Sequence, residues 1–160
     1  MKDKIDRLNG SGIQITVTSS ENKINSINLQ EGNFDKPVIL QQSTPYAEIF
    51  LLYLLGKNPD LNIPIDSTRL TPFQTLTFKA LKKVSYGNII SYEELAILTK
   101  SIRHRRAVAQ ALAHNPYPII IPCHRVLSKK WDIDHIGGFS GGIDLKRKLL
   151  LLENPQIFNS

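Results

Sequence analysis

The single cysteine of this 160-residue chain, Cys123, closes the apolar run Ile119-Ile120-Ile121-Pro122 and is followed directly by His124-Arg125-Val126. A thiol attacks as its thiolate, and a nearby imidazole or guanidinium lowers its pKa, so these residue types in this order are those of a nucleophile. A free cysteine is also among the most commonly buried residues, and behind three isoleucines it reads as core. The abrupt change from isoleucine to Cys-His-Arg favours chemistry.

Composition limits what that chemistry serves. One cysteine excludes an intramolecular disulfide framework and a cysteine-rich zinc site, and it suits a reducing compartment. The first residues form no apolar leader, and no apolar run nears the roughly 20 residues that span a bilayer, which points to a soluble intracellular protein with no membrane partner. The net charge of +6 is unevenly placed: residues 1–66 hold 6 Lys and Arg against 8 Asp and Glu, whereas residues 67–160 hold 14 against 6. A basic half that also contains Cys123 is the electrostatic footprint of a protein that meets a polyanion, most simply nucleic acid.

The elements that must position Cys123 follow from local pattern. Residues 12–18 alternate apolar and polar side chains, and residues 24–29 repeat the pattern more weakly, which predicts a small antiparallel sheet. Residues 45–55 are apolar at helical spacing and stop at Gly56; the turn-rich stretch 57–66 is a linker between two domains. Thr71-Pro72-Phe73-Gln74 opens a helix with a capping box and a proline at its first position, and the spacing predicts a core stripe of Phe73, Leu76, Thr77, Ala80, Leu81 and Val84. Ser91-Tyr92-Glu93-Glu94 is a second capping box, beginning a short helix through Leu98. After a turn at Thr99-Lys100-Ser101, a third helix is expected from about Ile102 to His114, opening on Arg103-His104-Arg105-Arg106 with Val108, Ala111 and Leu112 inward. Two such helices form a helix-turn-helix candidate, although ordinary helix pairs share the pattern. Residues 137–142 are too glycine-rich for regular structure and read as a site loop, without the lysine a phosphate cradle requires. Residues 144–153 close the second domain as an amphipathic helix.

Taken in order, Thr71-Pro72-Phe73-Gln74, Ser91-Tyr92, Arg106-Ala107-Val108, Asn115-Pro116, Ile121-Pro122-Cys123-His124-Arg125-Val126 and Gly138-Phe139-Ser140-Gly141-Gly142 resemble the O6-alkylguanine-DNA alkyltransferases, also called methylated-DNA–protein-cysteine methyltransferases. The resemblance covers about residues 68–154. It implies an α+β fold: a small ribonuclease-H-like α/β domain over residues 1–66 and a mostly helical, winged-helix-like domain with a helix-turn-helix over residues 67–160. It also implies DNA repair by direct, single-use transfer of an alkyl group from guanine O6 to Cys123, with no cofactor and no metal. O4-alkylthymine is a second candidate substrate.

By the same resemblance, the damaged nucleotide is flipped from the stack. Glu153, His124 and a water relay the thiol proton, a water being needed because neighbours on a strand face opposite sides. Tyr92 protonates the leaving guanine and Asn115 braces the site. Arg106 fills the gap in the stack, while Arg105, Ala109 and Gln110 lie along the minor groove. Val126, Ser140, Phe139, Leu112 and Pro118 form the base pocket. Phe139 replaces the family's usual tyrosine, Gln110 a commonly small residue, and residues 129–135 lengthen the intervening loop. The implied partner is duplex DNA bound by a monomer, with or without cooperativity, in the cytoplasm or, in a eukaryote, the nucleus. The main alternative is a sensor of the same fold that binds alkylated DNA without repairing it; such proteins lack the cysteine. A transcriptional regulator would need a sensor cluster that the chain lacks. A cysteine hydrolase would need a direct Cys123–His124 pair that a strand does not allow.

Overall fold

The computed structural model describes residues 2–100 and 105–159, so the expected turn at Ser101 and the helix opening at Ile102, Arg103 and His104 lie outside the described residues. The chain forms two compact units, Met1–Asp66 with Pro116–Ile120, and Ser67–Asn115 with Ile121–Ser160.

The first unit is a four-stranded antiparallel sheet of β1 (Lys4–Gly10), β2 (Ile13–Ser20), β3 (Lys23–Glu31) and β4 (Val38–Gln41), in the order β3-β2-β1-β4. The two expected strands are β2 and β3. β1 is missed by pattern because its inward positions include an acid: Asp6 is buried and its carboxylate accepts the Ser43 and Thr44 amides and the Thr44 hydroxyl. The hairpins turn through Ser11-Gly12 and Glu21-Asn22, all four at positive φ, the conformation that matches a two-residue loop to strand twist. Ile13, Ile15 and Val17 of β2 face inward, and α1 (Tyr46–Leu54) covers the sheet with Ala47, Phe50, Tyr53 and Leu54. Residues 116–120 return to this unit, where the Pro116 carbonyl accepts the Ile27 amide and the Tyr117 hydroxyl donates to the Asp66 carbonyl. Ile119 lies there at a φ of 76°. A β-branched residue in that region is strained by about 1–3 kcal/mol and persists only because its buried surroundings fix it.

The second unit packs α2 (Pro72–Leu81), α3 (Tyr92–Leu98), α4 (Arg105–Ala113) and α5 (Ile143–Glu153) around a short parallel pair, β5 (Ile90–Ser91) with β6 (Val126–Leu127). Both capping boxes form: Thr71 with Gln74, and Ser91 with Glu94. Val108, Ala111 and Leu112 of α4 face inward as expected. The α2 stripe differs from its expected one: Leu76 is 48% exposed while Phe78 is 2% exposed. In a ten-residue helix the core takes a narrower face, Thr77, Phe78 and Leu81. Among the described residues no helix is long and apolar enough to cross a membrane.

This assignment separates two large side chains on one helix. Phe78→Ala is expected to cost about 3–5 kcal/mol in denaturant unfolding, against about 0.5 kcal/mol or less for Leu76→Ala; comparable losses contradict the orientation of α2.

Candidate active site

Cys123 does not end a strand. Pro122, at φ −81° and ψ 63°, makes a tight turn in which the Cys123 amide donates to the Ile121 carbonyl at 2.8 Å, and residues Cys123–Arg125 continue as one turn of 3-10 helix. Proline's ring fixes φ close to this value, which is a local reason for Ile-Pro-Cys. The change alters who neighbours the thiol. Sequence adjacency has His124 and Arg125 lowering the thiol pKa; the structure turns both to Glu153 at the end of α5, which for His124 is the pairing the resemblance implies.

Glu153 is 8% exposed, and His124, Arg125 and Gly87 all reach its carboxylate. His124 Nε2 lies 2.7 Å from Oε1, Arg125 donates through Nε at 2.7 Å and Nη2 at 2.9 Å, and the Gly87 amide donates at 3.2 Å. Burial by itself raises a carboxyl pKa, but His124 and Arg125 outweigh it and hold Glu153 well below the usual carboxylate range. Arg125 is anchored further by Nη1 to the Val84 carbonyl at 2.7 Å and by the Tyr86 ring face at 5.8 Å. Burial, opposed by Glu153, lowers the pKa of His124, so the ring is neutral near pH 7. An ionised carboxylate only accepts, so Nε2 carries the hydrogen and the basic lone pair is on Nδ1, an assignment made from the hydrogen-bond network.

Around the sulfur stand Asn115 and Lys146. Asn115, just past α4, donates from Nδ2 to Cys123 Sγ at 3.1 Å and to the Ile121 carbonyl at 2.8 Å. Burial raises the thiol pKa; the Asn115 hydrogen bond, the Lys146 charge and two backbone amides pull it down without cancelling that effect. The resting group is therefore a thiol. Lys146 is fully buried, and no sequence signal marked it: in an amphipathic helix a lysine reads as a solvated position. Its spacing from Glu153, seven residues along α5, was the available hint, because positions i and i+7 share a face.

A cavity of about 570 Å³ opens beside the thiol, lined by Tyr92, Cys123, Leu112, Gly138, Phe139 and Ser140 together with Arg105, Arg106, Ala109, Gln110 and Ala113. It thus gathers the expected base-pocket residues Ser140, Phe139 and Leu112 and the four expected DNA-contact residues on one surface. Val126 and Pro118 are not among the lining residues; Val126 is fully buried, with its carbonyl bound to Lys146, and Pro118 falls in the first unit. The Tyr92 hydroxyl donates to the Gly138 carbonyl at 3.3 Å, and its pKa is raised by burial and by Cys123. Among the described residues no group of three or more His, Cys, Asp or Glu is placed to hold a metal.

The family model described as "6-O-methylguanine DNA methyltransferase, DNA binding domain" matches residues 72–155, which contain the whole cavity and the Glu153 cluster. The chain belongs to this family. The methylated-DNA–protein-cysteine methyltransferase of Sulfurisphaera tokodaii is 40% identical over 106 residues, 66% of this chain and 64% of that protein, and its counterpart in Saccharolobus solfataricus is 40% identical over 66% of each. The match spans just under two thirds of the length of these relatives. Among solved structures, Mycobacterium tuberculosis OGT in complex with DNA matches with a TM-score of 0.74 at 26% identity, over 94% of this chain and 92% of that one. The O6-methylguanine-DNA methyltransferase of Pyrococcus kodakaraensis matches with a TM-score of 0.70 at 29% identity, over 89% and 92%. The mixed helix and sheet architecture is that of these family members.

The buried cluster fixes how stability depends on pH. Glu153 releases its proton more readily folded than unfolded, so its contribution is complete above about pH 4.5 and is lost as the pH falls below that. His124, held neutral, gains a proton more readily unfolded, so stability also declines as the pH falls from about 6.5. Glu153→Gln is expected to cost about 3–5 kcal/mol at pH 7 and to flatten the acid limb of the thermal-unfolding profile; an unchanged profile contradicts the shared-carboxylate geometry.

Proposed function

We propose that this chain repairs DNA by moving the alkyl group of an O6-alkylguanine, irreversibly and once per molecule, onto Cys123. One observation carries the reading: the thiol lies in the wall of a cavity whose lining runs outward to the exposed Arg105 and Arg106 of α4. A base stacked in duplex DNA cannot reach the thiol of a cysteine that is 5% exposed, so the nucleotide must enter the cavity.

In this reading the thiol proton leaves through a water to His124, whose Glu153 partner stabilises the imidazolium. The sulfur then attacks the alkyl carbon, the C–O6 bond breaks, and Tyr92 gives its hydroxyl proton to the departing guanine. The proton held at His124 returns to the Tyr92 oxygen through water, so in net the thiol hydrogen passes to the base. Asn115 holds the sulfur from the other side. Leu112, Phe139 and Ser140 enclose the base, and Val126 supports that wall through its backbone. The product is a thioether, and with Cys123 the only cysteine no second thiol exists to regenerate it.

The partner is duplex DNA approached from the minor groove by a monomer. The helices α3 and α4 form the helix-turn-helix of a winged-helix-like domain over residues 67–160, and Ala109 and Gln110 run along the groove while Arg106 enters the stack. The preceding domain, residues 1–66, is ribonuclease-H-like. The setting is the cytoplasm, or the nucleus in a eukaryote.

Arg106→Ala separates flipping from chemistry. Its rate on duplex DNA carrying O6-methylguanine is expected to fall about tenfold or more, while reaction with free O6-benzylguanine stays within about twofold of the parent; equal losses on both substrates contradict the assignment, and Cys123→Ser abolishes both. The methyl group must also fit around a cysteine that is only 5% exposed. Methylated protein is therefore expected to unfold with about 1–3 kcal/mol less stability than the unreacted form; an equal or higher midpoint contradicts the tight enclosure of the sulfur.

A further inference from the structure

We propose that Lys146 is the positioning residue of this site: its ammonium pins the loop that supplies Gly138, Phe139 and Ser140, and stabilises the negative charge that passes through Cys123 and Tyr92 during transfer. The inference rests on alkyl transfer to Cys123.

The geometry is a closed cage. Lys146 Nζ donates to the carbonyls of Val126 at 2.7 Å, Ile136 at 2.9 Å and Gly138 at 3.2 Å, so all three ammonium N–H groups are used. The three acceptors come from β6, directly after the Cys123 turn, and from both sides of Gly137 at the head of the glycine loop. The same nitrogen stands 5.8 Å from the centre of the Tyr92 ring, within the range of a cation–π contact. Gly137 keeps that space open: at a φ of 82°, a Cβ there would sit 3.3 Å from Tyr92 Cε2 and 3.6 Å from Nζ.

Burying an ammonium costs several kcal/mol, and a methionine of similar length would fill the same volume without that cost. The charge therefore has a use. The groups facing it are Cys123 from the 3-10 turn and Tyr92 from α3, with His124 also within its field, while Glu153 on its own helix is occupied by His124 and Arg125. Burial draws Lys146 down to about 8, and the anionic sulfur opposes this. The carbonyl cage opposes it too, because a neutral amine would aim a lone pair at one of three acceptors.

Transfer creates two anions in turn. The thiolate forms when the proton leaves toward His124, the S–C bond forms as the C–O6 bond breaks, and the Tyr92 phenolate appears when its proton goes to the guanine. Both anions sit beside Lys146. The Gly138 carbonyl receives both Lys146 and the Tyr92 hydroxyl, so the cation fixes the phenol's resting partner as well as its charge.

The test uses the full chain and two reagents. At pH 7, where Lys146 is charged and Cys123 rests as the thiol, the rate of carboxamidomethylation of Cys123 by iodoacetamide reads the thiolate fraction without any alkylguanine. Lys146→Met is expected to slow it about tenfold, and Lys146→Arg to keep it within about twofold of the parent. Reaction with free O6-benzylguanine is expected to fall about tenfold or more in Lys146→Met and to decline at alkaline pH, from about 8 upward, in the parent. An unchanged iodoacetamide rate in Lys146→Met overturns the proposal. A slowed rate with O6-benzylguanine inert even in the parent overturns alkyl transfer instead. Should Lys146→Met not fold, the parent's own iodoacetamide profile decides: its rise with pH must level off as Lys146 loses its charge near pH 8, and an uninterrupted rise of about tenfold per pH unit through pH 9 overturns the proposal.

Discussion

The structure of the site depends on one buried carboxylate. Glu153 ends α5, and through it that helix is tied to the Cys123–Arg125 turn and to the Gly87 amide after α2. Each partner alone would be costly to bury. Together they satisfy one another: the guanidinium neutralises the carboxylate, the carboxylate fixes the imidazole tautomer, and the imidazole is left neutral with its lone pair on Nδ1. A neutral imidazole is thereby held in the turn that carries Cys123.

The same economy explains why Cys123 rests as a thiol. Burial of the sulfur excludes water from the reacting centre but favours the protonated form, and the residues that counter this are Asn115 and Lys146 rather than the adjacent His124 and Arg125. The site thus separates two tasks by direction. Arg125 and His124 face Glu153, where the proposed reaction handles the proton, whereas Asn115 and Lys146 act on the sulfur and Tyr92 lines the cavity, where it handles the charge. A 3-10 turn accomplishes this in three consecutive residues, sending neighbouring side chains to different partners.

What was legible in the sequence is what is local. The capping boxes at Thr71 and Ser91 act within four residues, and both form as read. The helix from Tyr46 ends at Gly56, whose φ of 70° only glycine adopts freely. The membership of residues 72–155 in its family was legible because Pro122-Cys123-His124-Arg125 and the glycine loop are compact motifs. What was hidden depends on distant partners. Lys146 is recognisable only once Val126, Ile136 and Gly138 surround it. Arg125 was placed at the thiol because sequence adjacency does not show which way a turn points. Strand β1 was hidden by Asp6, an inward acid that the Ser43 and Thr44 amides make tolerable from 37 and 38 positions away.

The central claim is that Cys123 accepts an alkyl group once and keeps it. Intact-protein mass after incubation with excess duplex DNA containing one O6-methylguanine, followed by peptide mapping, tests it most directly. The account predicts a gain of a single methyl, located on Cys123, with one guanine restored per protein molecule and no further turnover. An unchanged mass on a protein that nevertheless holds the damaged duplex tightly would contradict it and mark the chain as a sensor of the lesion.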